Sequence, residues 1–196
     1  MSRAILPVVE GYSEVEAVPV LLRRLLGRLG QPEVQVAHPF RVSRTKMVRP
    51  GEIERAVQQG IRSRTGIVGV LVILDADDDD PESLETSLLH RCRQAIHLPV
   101  GIVAARRELE AWFLGSKDSL RGVCGIREIA NAPDGPEAIR GAKERLTRNM
   151  DGNRRYLEVD DQPVMAARMD LDLALQRCLS FRRLAEELEK ILMGSP

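Results

Sequence analysis

The chain has 196 residues, and its 29 basic and 29 acidic side chains cancel to zero net charge at neutral pH. That balance argues against a generic basic nucleic-acid binder, although it is compatible with a local basic patch. Hydrophobic residues make up 43% of the chain and aromatic residues only 3%, so the core is expected to be aliphatic. The three cysteines form no CxxC pair, which excludes a zinc ribbon and a disulfide framework. No apolar run approaches the length of a signal region or a membrane span, and we expect a cytoplasmic protein without a membrane partner.

Strand-like and helix-like segments alternate through the first 105 residues. The strand-like segments are short and aliphatic, whereas the helix-like segments repeat apolar residues every three or four positions. This alternation predicts an α/β fold with right-handed crossovers and a mainly parallel four-stranded sheet flanked by helices. The predicted strands span 4–9, 34–38, 66–74 and 100–104, and the predicted helices span 14–29, 50–63 and 81–96.

Local signals predict where two of these helices begin. Ser13 is followed three residues later by Glu16, which predicts a capping box at the start of the first helix. Asp79 and Asp80 directly precede Pro81, and this order is typical of an N-cap followed by the first turn of a helix.

After residue 107 the alternation stops, and only helix-like segments follow. We therefore expect residues 1–107 to form an α/β core and residues 108–196 to form a mainly helical extension packed on that core. No linker separates the two regions, so they are predicted to make one structural domain. Ser180 is predicted to cap the last helix. The helices predicted in the extension span 108–114, 136–147, 161–176 and 180–193.

The most informative stretch is an aliphatic run that ends in five aspartates within the six residues from Asp75 to Asp80. The run 70–74 shows no polar alternation, which is typical of a strand buried on both faces. Carboxylates this dense repel one another, and they persist where a divalent cation or a helix N-terminus offsets their charge. The following helix accounts for Asp79 and Asp80 but not for Asp75. Because Asp75 and Asp77 lie two apart, in extended backbone they would point the same way and could share one ion.

A glutamate follows the first predicted strand, directly before Gly11. Glu10 and the pair Asp75 and Asp77 thus follow two different strands, and functional groups in parallel sheets gather at the carboxyl ends of strands. Three carboxylates at one edge supply the hard oxygen ligands that Mg²⁺ prefers. The sequence therefore predicts a magnesium site formed by Glu10, Asp75 and Asp77.

These residues carry a resemblance to a known domain. A strand ending in Glu10-Gly11, followed after a pair of βα units by an aliphatic strand ending in Asp75-Ala76-Asp77, resembles the Toprim domain. Topoisomerases, bacterial primases and overcoming-lysogenization-defect nucleases share that domain. More narrowly, the chain resembles the uncharacterised family DUF4276 over nearly its whole length. This narrower resemblance rests on the motifs Val8-Val9-Glu10-Gly11-Tyr12-Ser13-Glu14, Glu108-Leu109-Glu110-Ala111-Trp112, Asp161-Gln162-Pro163 and Ser180-Phe181.

The Toprim resemblance implies a magnesium- or manganese-dependent site for phosphodiester chemistry. Carried over by position, Glu10 would be a general acid/base or a metal ligand, and Asp75 and Asp77 would be metal ligands. A divalent ion would neutralise the phosphoryl oxygens and position a nucleophile. Burial among other acids would raise the pKa of Glu10 towards a value useful for proton transfer.

Related nucleases bind a second ion with a second acidic cluster, and Glu108 and Glu110 are the candidates for that cluster here. Residues two apart diverge on a helix, so this pair would converge only if the backbone is still extended at Glu108. The alternative is that Leu109 and Trp112 belong to the core and that both glutamates lie on the surface.

Basic residues flank the predicted site. The segment 41–49 is predicted to be a basic loop, and two arginines follow the fourth strand. Under the Toprim resemblance these cations would contact a nucleic-acid backbone, and otherwise they are solvated surface charges. The candidate nucleic-acid contacts are Arg44, Lys46, Arg49, Arg106 and Arg107.

Three functions compete. The first is a magnesium-dependent, nuclease-like Toprim protein acting on DNA or RNA; similar stand-alone proteins often accompany an ATPase in prokaryotic defence-type gene pairs, so the resemblance also implies an ATPase partner. The second is a non-catalytic Toprim-like module that binds nucleic acid or protein. The third is another metal-dependent phosphotransfer or nucleotide-binding α/β domain. An aspartyl-phosphate phosphatase, for example, carries Asp-x-Asp after its first strand, where this chain has Glu10.

Overall fold

Parallel strands form the centre of the fold, which a computed structural model describes for residues 3–194. The strands are β1 (Ala4–Val9), β2 (Gln35–Val36), β3 (Phe40–Arg41), β4 (Ile67–Asp75) and β5 (Val100–Ala105). Within the described residues they form one sheet in the order β2-β1-β4-β5, and β3 also pairs with β1. Every pair is parallel. The predicted α/β fold with a parallel sheet is therefore confirmed.

The edge of the sheet beside β1 is interrupted. β2 pairs with the start of β1, and β3 pairs with its end, where Val9 lies opposite Arg41. The break contains Pro39, which has no N–H to donate to a neighbouring strand. The prediction of one strand over 34–38 and a basic loop over 41–49 is therefore wrong in detail, because β3 and a short helix occupy part of that loop.

Nine α-helices surround the sheet within residues 3–194, and the predicted helical C-terminal region is confirmed. Short 3₁₀ turns connect several of them. The helices are α1 (Tyr12–Arg28), α2 (Arg44–Met47), α3 (Glu52–Arg62), α4 (Pro81–Ala95), α5 (Glu110–Gly115), α6 (Ala142–Arg148), α7 (Glu158–Arg168), α8 (Leu171–Arg177) and α9 (Leu179–Leu192). No helix in this described range is both long and apolar enough to cross a membrane.

The two faces of the sheet pack against different helices. Along β4, Leu71 and Ile73 face a layer that contains α1 and the C-terminal helices, whereas Val72 and Leu74 face a layer with α3 and α4. Successive strand residues point to opposite faces, so both faces of the central strands are buried. Burial on both faces explains why the sequence of β4 is a continuous aliphatic run without alternating polar residues.

Helix α9 lies unusually close to the sheet. A Cβ atom at Gly69 would lie 2.2 Å from Ile191 Cγ2, and one at Gly101 would lie 2.9 Å from Glu187 Cβ. Both separations are below van der Waals contact, so a side chain at either position of β4 or β5 would push the helix away. Helix α7 packs in turn on α1.

The predicted cap of the first helix is wrong, because α1 begins two residues earlier than expected. Gly11 is the N-cap, and the Ser13 side chain makes no capping hydrogen bond. Glu14, in the first turn, accepts the backbone N–H of Glu10 at 2.9 Å and that of Gly11. Glu14 thus takes the role that the predicted capping box gave to Glu16, which is to accept N–H groups that precede the helix. By contrast, the predicted start of α4 is confirmed, since Asp80 accepts the N–H of Ser83 at 2.9 Å.

Three helix boundaries in the extension also differ from the predictions. The segment predicted as a helix over 136–147 is a 3₁₀ turn followed by α6, which begins after Gly141 at φ 67°. The helix predicted over 161–176 begins instead at Glu158 and is divided into α7 and α8, because Asp170 caps the second part. Helix α9 begins at residue 179, so Ser180 lies inside its first turn rather than at its N-cap.

Candidate functional site

The order of the strands creates a crevice between β1 and β4. From β1 the chain continues to β2 on one side of β1, and it later returns to β4 on the other side. The strand order therefore changes direction between β1 and β4. In open parallel sheets, ligands bind outside the carboxyl ends of strands at such a switch point. Four carboxylates lie at this place, and we call them the acidic edge: Glu10, Glu14, Asp75 and Glu110.

Glu10 and Asp75 come together across the switch point. Glu10 follows β1, and its Oε2 accepts the backbone N–H of Asp75, the last residue of β4, at 3.4 Å. The structure thus places both residues at one edge of the sheet, as the strand alternation predicted. Burial raises the pKa of Glu10, and Asp77 adds to the rise, while the N–H of Asp75 and the cations Arg44 and Lys143 oppose it.

Asp75 is tied to the start of the helical region. Its Oδ1 accepts the N–H of Leu109 at 2.8 Å. Burial of the carboxyl group raises its pKa well above the usual range, and the nearby carboxylates Glu14, Glu110 and Glu10 raise it further. One hydrogen bond therefore does not compensate for the loss of water and the repulsion among these acids.

Glu14 belongs to the same group, although the sequence analysis did not single it out. It is buried in the first turn of α1, and burial raises its pKa to about 7 despite the N–H groups of Glu10 and Gly11. The signal was present in the sequence, since Glu14 stands in the quoted segment that begins with Val8. A capping glutamate and a site glutamate look alike in a sequence.

Glu110 is the most buried member, with 1% of its surface exposed. Its Oε1 accepts hydrogen bonds from Tyr156 Oη at 3.1 Å and from Gln162 Nε2 at 3.3 Å. Burial raises its pKa, and the charge of Lys143 opposes the rise. Gln162 is itself 2% exposed, and its Oε1 has no hydrogen-bond partner within residues 3–194.

Lys143 is a cation beside the acidic edge that the sequence analysis missed. Burial disfavours its charge, but Glu110, Glu158 and Asp75 outweigh this effect and raise its pKa. Its Nζ lies 3.1 Å from Glu158 Oε1. Lys143 therefore stays protonated at neutral pH.

The structure separates Glu108 from Glu110. The two oxygens of Glu108 accept the N–H groups of Ala142 and Lys143, each at 3.3 Å, at the start of α6. Glu110 instead turns towards Tyr156 and Gln162. The convergence that an extended backbone at Glu108 would allow is therefore not observed. In the alternative, Leu109 and Trp112 do belong to the core, but Glu110 is buried and does not lie on the surface.

Asp77 lies next to the acidic edge but is exposed over 63% of its side chain. Its backbone is left-handed, with φ 51°, and its N–H donates to the carbonyl of Arg107, which is also left-handed with φ 66°. Two non-glycine residues in this conformation, at the ends of neighbouring strands, indicate stored backbone strain, which is common at functional sites.

The predicted basic contacts fall into two groups. Arg44 and Arg107 contact the aspartates that follow β4. Arg44 Nε lies 3.7 Å from Asp77 Oδ2, and Arg44 also pairs with Asp79. Arg107 donates to Asp78 at 2.9 Å. The remaining three are exposed at the surface. They are Lys46, Arg49 and Arg106.

The donor atoms at the acidic edge are of the kind that a divalent cation requires. All are oxygens, as Mg²⁺ and Mn²⁺ prefer, and Gln162 Oε1 adds a buried acceptor without a partner in the described chain. Across residues 3–194, no group of three His, Cys, Asp or Glu side chains is placed to hold a metal ion. Glu10, Glu14 and Asp75 accept backbone N–H groups instead. The donor chemistry fits such an ion. Glu10 and Asp75 each accept their amide with one oxygen, so the other oxygen of each carboxylate is a candidate ligand.

A second buried polar group lies beyond β5, and we call it the polar clamp: Trp112, Glu137 and Ser180. Glu137 accepts the N–H groups of Leu179 and Ser180 at 2.7 and 2.9 Å, and it also accepts the Ser180 hydroxyl. Trp112 Nε1 donates to Ser180 Oγ at 2.8 Å, and its ring meets Phe181 edge-on at 5.3 Å. The quoted tryptophan and Ser-Phe motifs therefore hold α5 against α9.

The fold and the site together define a parallel α/β protein with buried carboxylates at its topological switch point. Within that class, the chain belongs to the DUF4276 family, a domain of unknown function, whose family model matches residues 9–189. The predicted resemblance to this family is confirmed, whereas the broader Toprim resemblance stays a prediction. No curated protein and no solved structure matches the chain.

Proposed function

We propose that this protein is a magnesium- or manganese-dependent hydrolase of nucleic-acid phosphodiesters, with a Toprim-like site at the acidic edge. The observation that carries the proposal is the proximity of four carboxylates at the switch point: Asp75 at the end of β4, Glu10 and Glu14 just after β1, and Glu110 at the start of α5. Their pKa values are raised mainly by burial, so the folded protein bears a cost that a bound cation would relieve. Groups with such shifts are concentrated at functional sites.

Each residue would have a distinct role. Asp75 and Asp77 would hold the ion, which when bound would neutralise charge on the phosphoryl oxygens. Glu10 would transfer a proton, because burial raises its pKa towards neutral pH. Lys143 would add a positive charge for the phosphate, since its neighbours keep it protonated.

A cleavage assay with matched variants tests this proposal. The wild type should cut labelled DNA or RNA in the presence of Mg²⁺ or Mn²⁺ and not in the presence of EDTA. Asp75→Asn combined with Asp77→Asn should lower the rate at least about a hundredfold, because the lost ion supplies several kcal/mol of stabilisation. The control combines Asp134→Asn with Asp151→Asn, which removes two exposed aspartates outside the acidic edge. A site variant that cuts as fast as this control would overturn the proposal.

A non-catalytic binding module is the second candidate function. It is favoured by the hydrogen bonds that already engage Glu10, Glu14 and Asp75 with backbone amides. Such a module would bind nucleic acid or protein without any response to divalent ions. The ATPase partner and the defence-type role rest on the Toprim resemblance alone. Co-purification with an ATPase encoded beside the gene would test that partnership.

A further inference from the structure

One aromatic ring stands exposed beside the acidic edge. All six aromatic residues of the chain lie within residues 3–194, and among them only Tyr12 is exposed, over 73% of its surface. Tyr12 begins α1, two residues after Glu10. The chain has few aromatic residues, and the exposed ring of Tyr12 does not contribute to the core.

Arg41 holds this ring in place from one side. Its guanidinium carbon lies 3.8 Å from the centre of the Tyr12 ring, and its Nη2 donates to the Tyr12 hydroxyl at 3.0 Å. Arg41 ends β3 and lies opposite Val9, so the stacked pair stands at the same carboxyl edge of the sheet as Glu10. The cation covers one face of the ring, and the ring's wide exposure leaves other surface for a ligand.

A cleft continues from this pair along the edge of the sheet. Its volume is about 340 Å³, and its lining includes three cations, Arg41, Lys46 and Arg55, and one acid, Glu52. Arg55 pairs with Glu52, whereas Lys46 is exposed. A ring beside a cationic cleft matches what single-stranded nucleic acids require, namely stacking for a base and positive charge for the backbone.

We propose that Tyr12, backed by Arg41, stacks on an unpaired nucleobase next to the acidic edge, so that the protein binds single-stranded nucleic acid in preference to duplex. In a duplex the faces of the bases are covered by their neighbours, and only an unpaired base can stack on a protein ring. The inference rests on the proposed function in one respect, which is that the ligand is a nucleic acid.

Binding measurements that separate bases from phosphates test this inference. Fluorescence anisotropy in EDTA would compare a short oligothymidylate, an abasic oligomer of the same length and a duplex. The abasic oligomer keeps the phosphates, so the salt-dependent part of binding is matched. The wild type should bind oligothymidylate best. Tyr12→Ala should weaken that binding about five- to tenfold, at the low end of the effect of removing one base–aromatic stack, and should leave the abasic oligomer unaffected.

Two variants serve as controls. Tyr12→Phe should keep the preference for bases, and Ile129→Ala, which changes an exposed apolar residue elsewhere, should change nothing. Equal binding of oligothymidylate by the wild type and Tyr12→Ala would overturn the inference, as would a wild type that does not distinguish bases from abasic sugar. The second result would leave Tyr12 as a contact for a protein partner.

The binding assay in EDTA and the cleavage assay with Mg²⁺ or Mn²⁺, made with the same protein variants, separate this inference from the hydrolase proposal. A Tyr12-dependent preference for bases without any metal-dependent cleavage would support the stacking site and contradict the hydrolase. Metal-dependent cleavage with no dependence of base binding on Tyr12 would support the hydrolase and contradict the stacking site.

Discussion

The acidic edge and the polar clamp both bury carboxylates, but Asp75 and Glu10 at the edge accept fewer hydrogen bonds than Glu137 in the clamp. In the clamp, Glu137 accepts two backbone N–H groups and a hydroxyl. At the edge, Asp75 accepts one short hydrogen bond, and Glu10 accepts one at 3.4 Å. Burial and neighbouring carboxylates raise the pKa values of the edge residues.

The difference shows which buried acids hold the fold and which oppose it. A carboxylate whose oxygens are met by several donors joins the segments that carry those donors. Carboxylates that are buried beside one another destabilise the folded state, and proteins keep such arrangements mainly where function requires them. Glu137 in the clamp therefore stabilises the fold, whereas Asp75 and Glu10 at the edge reduce its stability.

The largest expected effect is on the clamp. Glu137→Ala would leave the N–H groups of Leu179 and Ser180 and the Ser180 hydroxyl without their acceptor in a buried place. We expect the free energy of unfolding to fall by at least about 3 kcal/mol, measured by urea denaturation at neutral pH. Asp75→Asn should instead leave stability unchanged or raise it, because it removes charge from a repulsive group. Equal losses in the two variants would remove the distinction between the two regions.

A somewhat smaller effect concerns pH and Glu14. Its pKa rises from the usual 4.5 to about 7 in the folded protein, so the folded state holds a proton that the unfolded state has lost between these values. The contribution of Glu14 to the free energy of unfolding is therefore fully present below pH 4.5, and it is lost as the pH rises through about 7. The full change corresponds to about 3 kcal/mol as an upper limit.

Glu14→Gln keeps an acceptor for the backbone N–H groups and removes the charge. Urea denaturation as a function of pH should therefore show a smaller loss of stability above pH 4.5 than in the wild type. Glu16→Gln is the matched control, since Glu16 is an exposed glutamate on the same helix. If the stability of Glu14→Gln fell with pH in parallel with that of the wild type, burial of the Glu14 charge would not be the cause of the loss.

Much of the sheet and part of the site followed from the sequence, for simple reasons. Aliphatic runs of strand length mark β1, β4 and β5 regardless of what packs on them. Parallel crossovers then require the residues after β1 and β4 to share an edge, which brings Glu10 and Asp75 together. These inferences need only local pattern and chain topology.

The rest of the site depends on how the helical extension docks. Lys143, Tyr156 and Gln162 reach the acidic edge from α6, the loop after it and α7, and no periodicity in the sequence states where those elements pack. The motif Asp161-Gln162-Pro163 was the only signal for Gln162. The capping box was predicted two residues too late, at Ser13 and Glu16 instead of Gly11 and Glu14, because glycine is a less distinctive N-cap than serine.

We propose that the acidic edge binds a divalent cation, and this proposal can be tested by the melting temperature with and without millimolar Mg²⁺ or Mn²⁺. Binding only to the folded state stabilises it by about 2.7 kcal/mol at a hundredfold excess over Kd. The wild-type melting temperature should therefore rise, and the rise should vanish in Glu10→Gln combined with Asp75→Asn. Sodium at matched ionic strength should not reproduce it, because screening acts on all surface charges alike. A wild-type melting curve that is indifferent to both divalent ions would contradict the account.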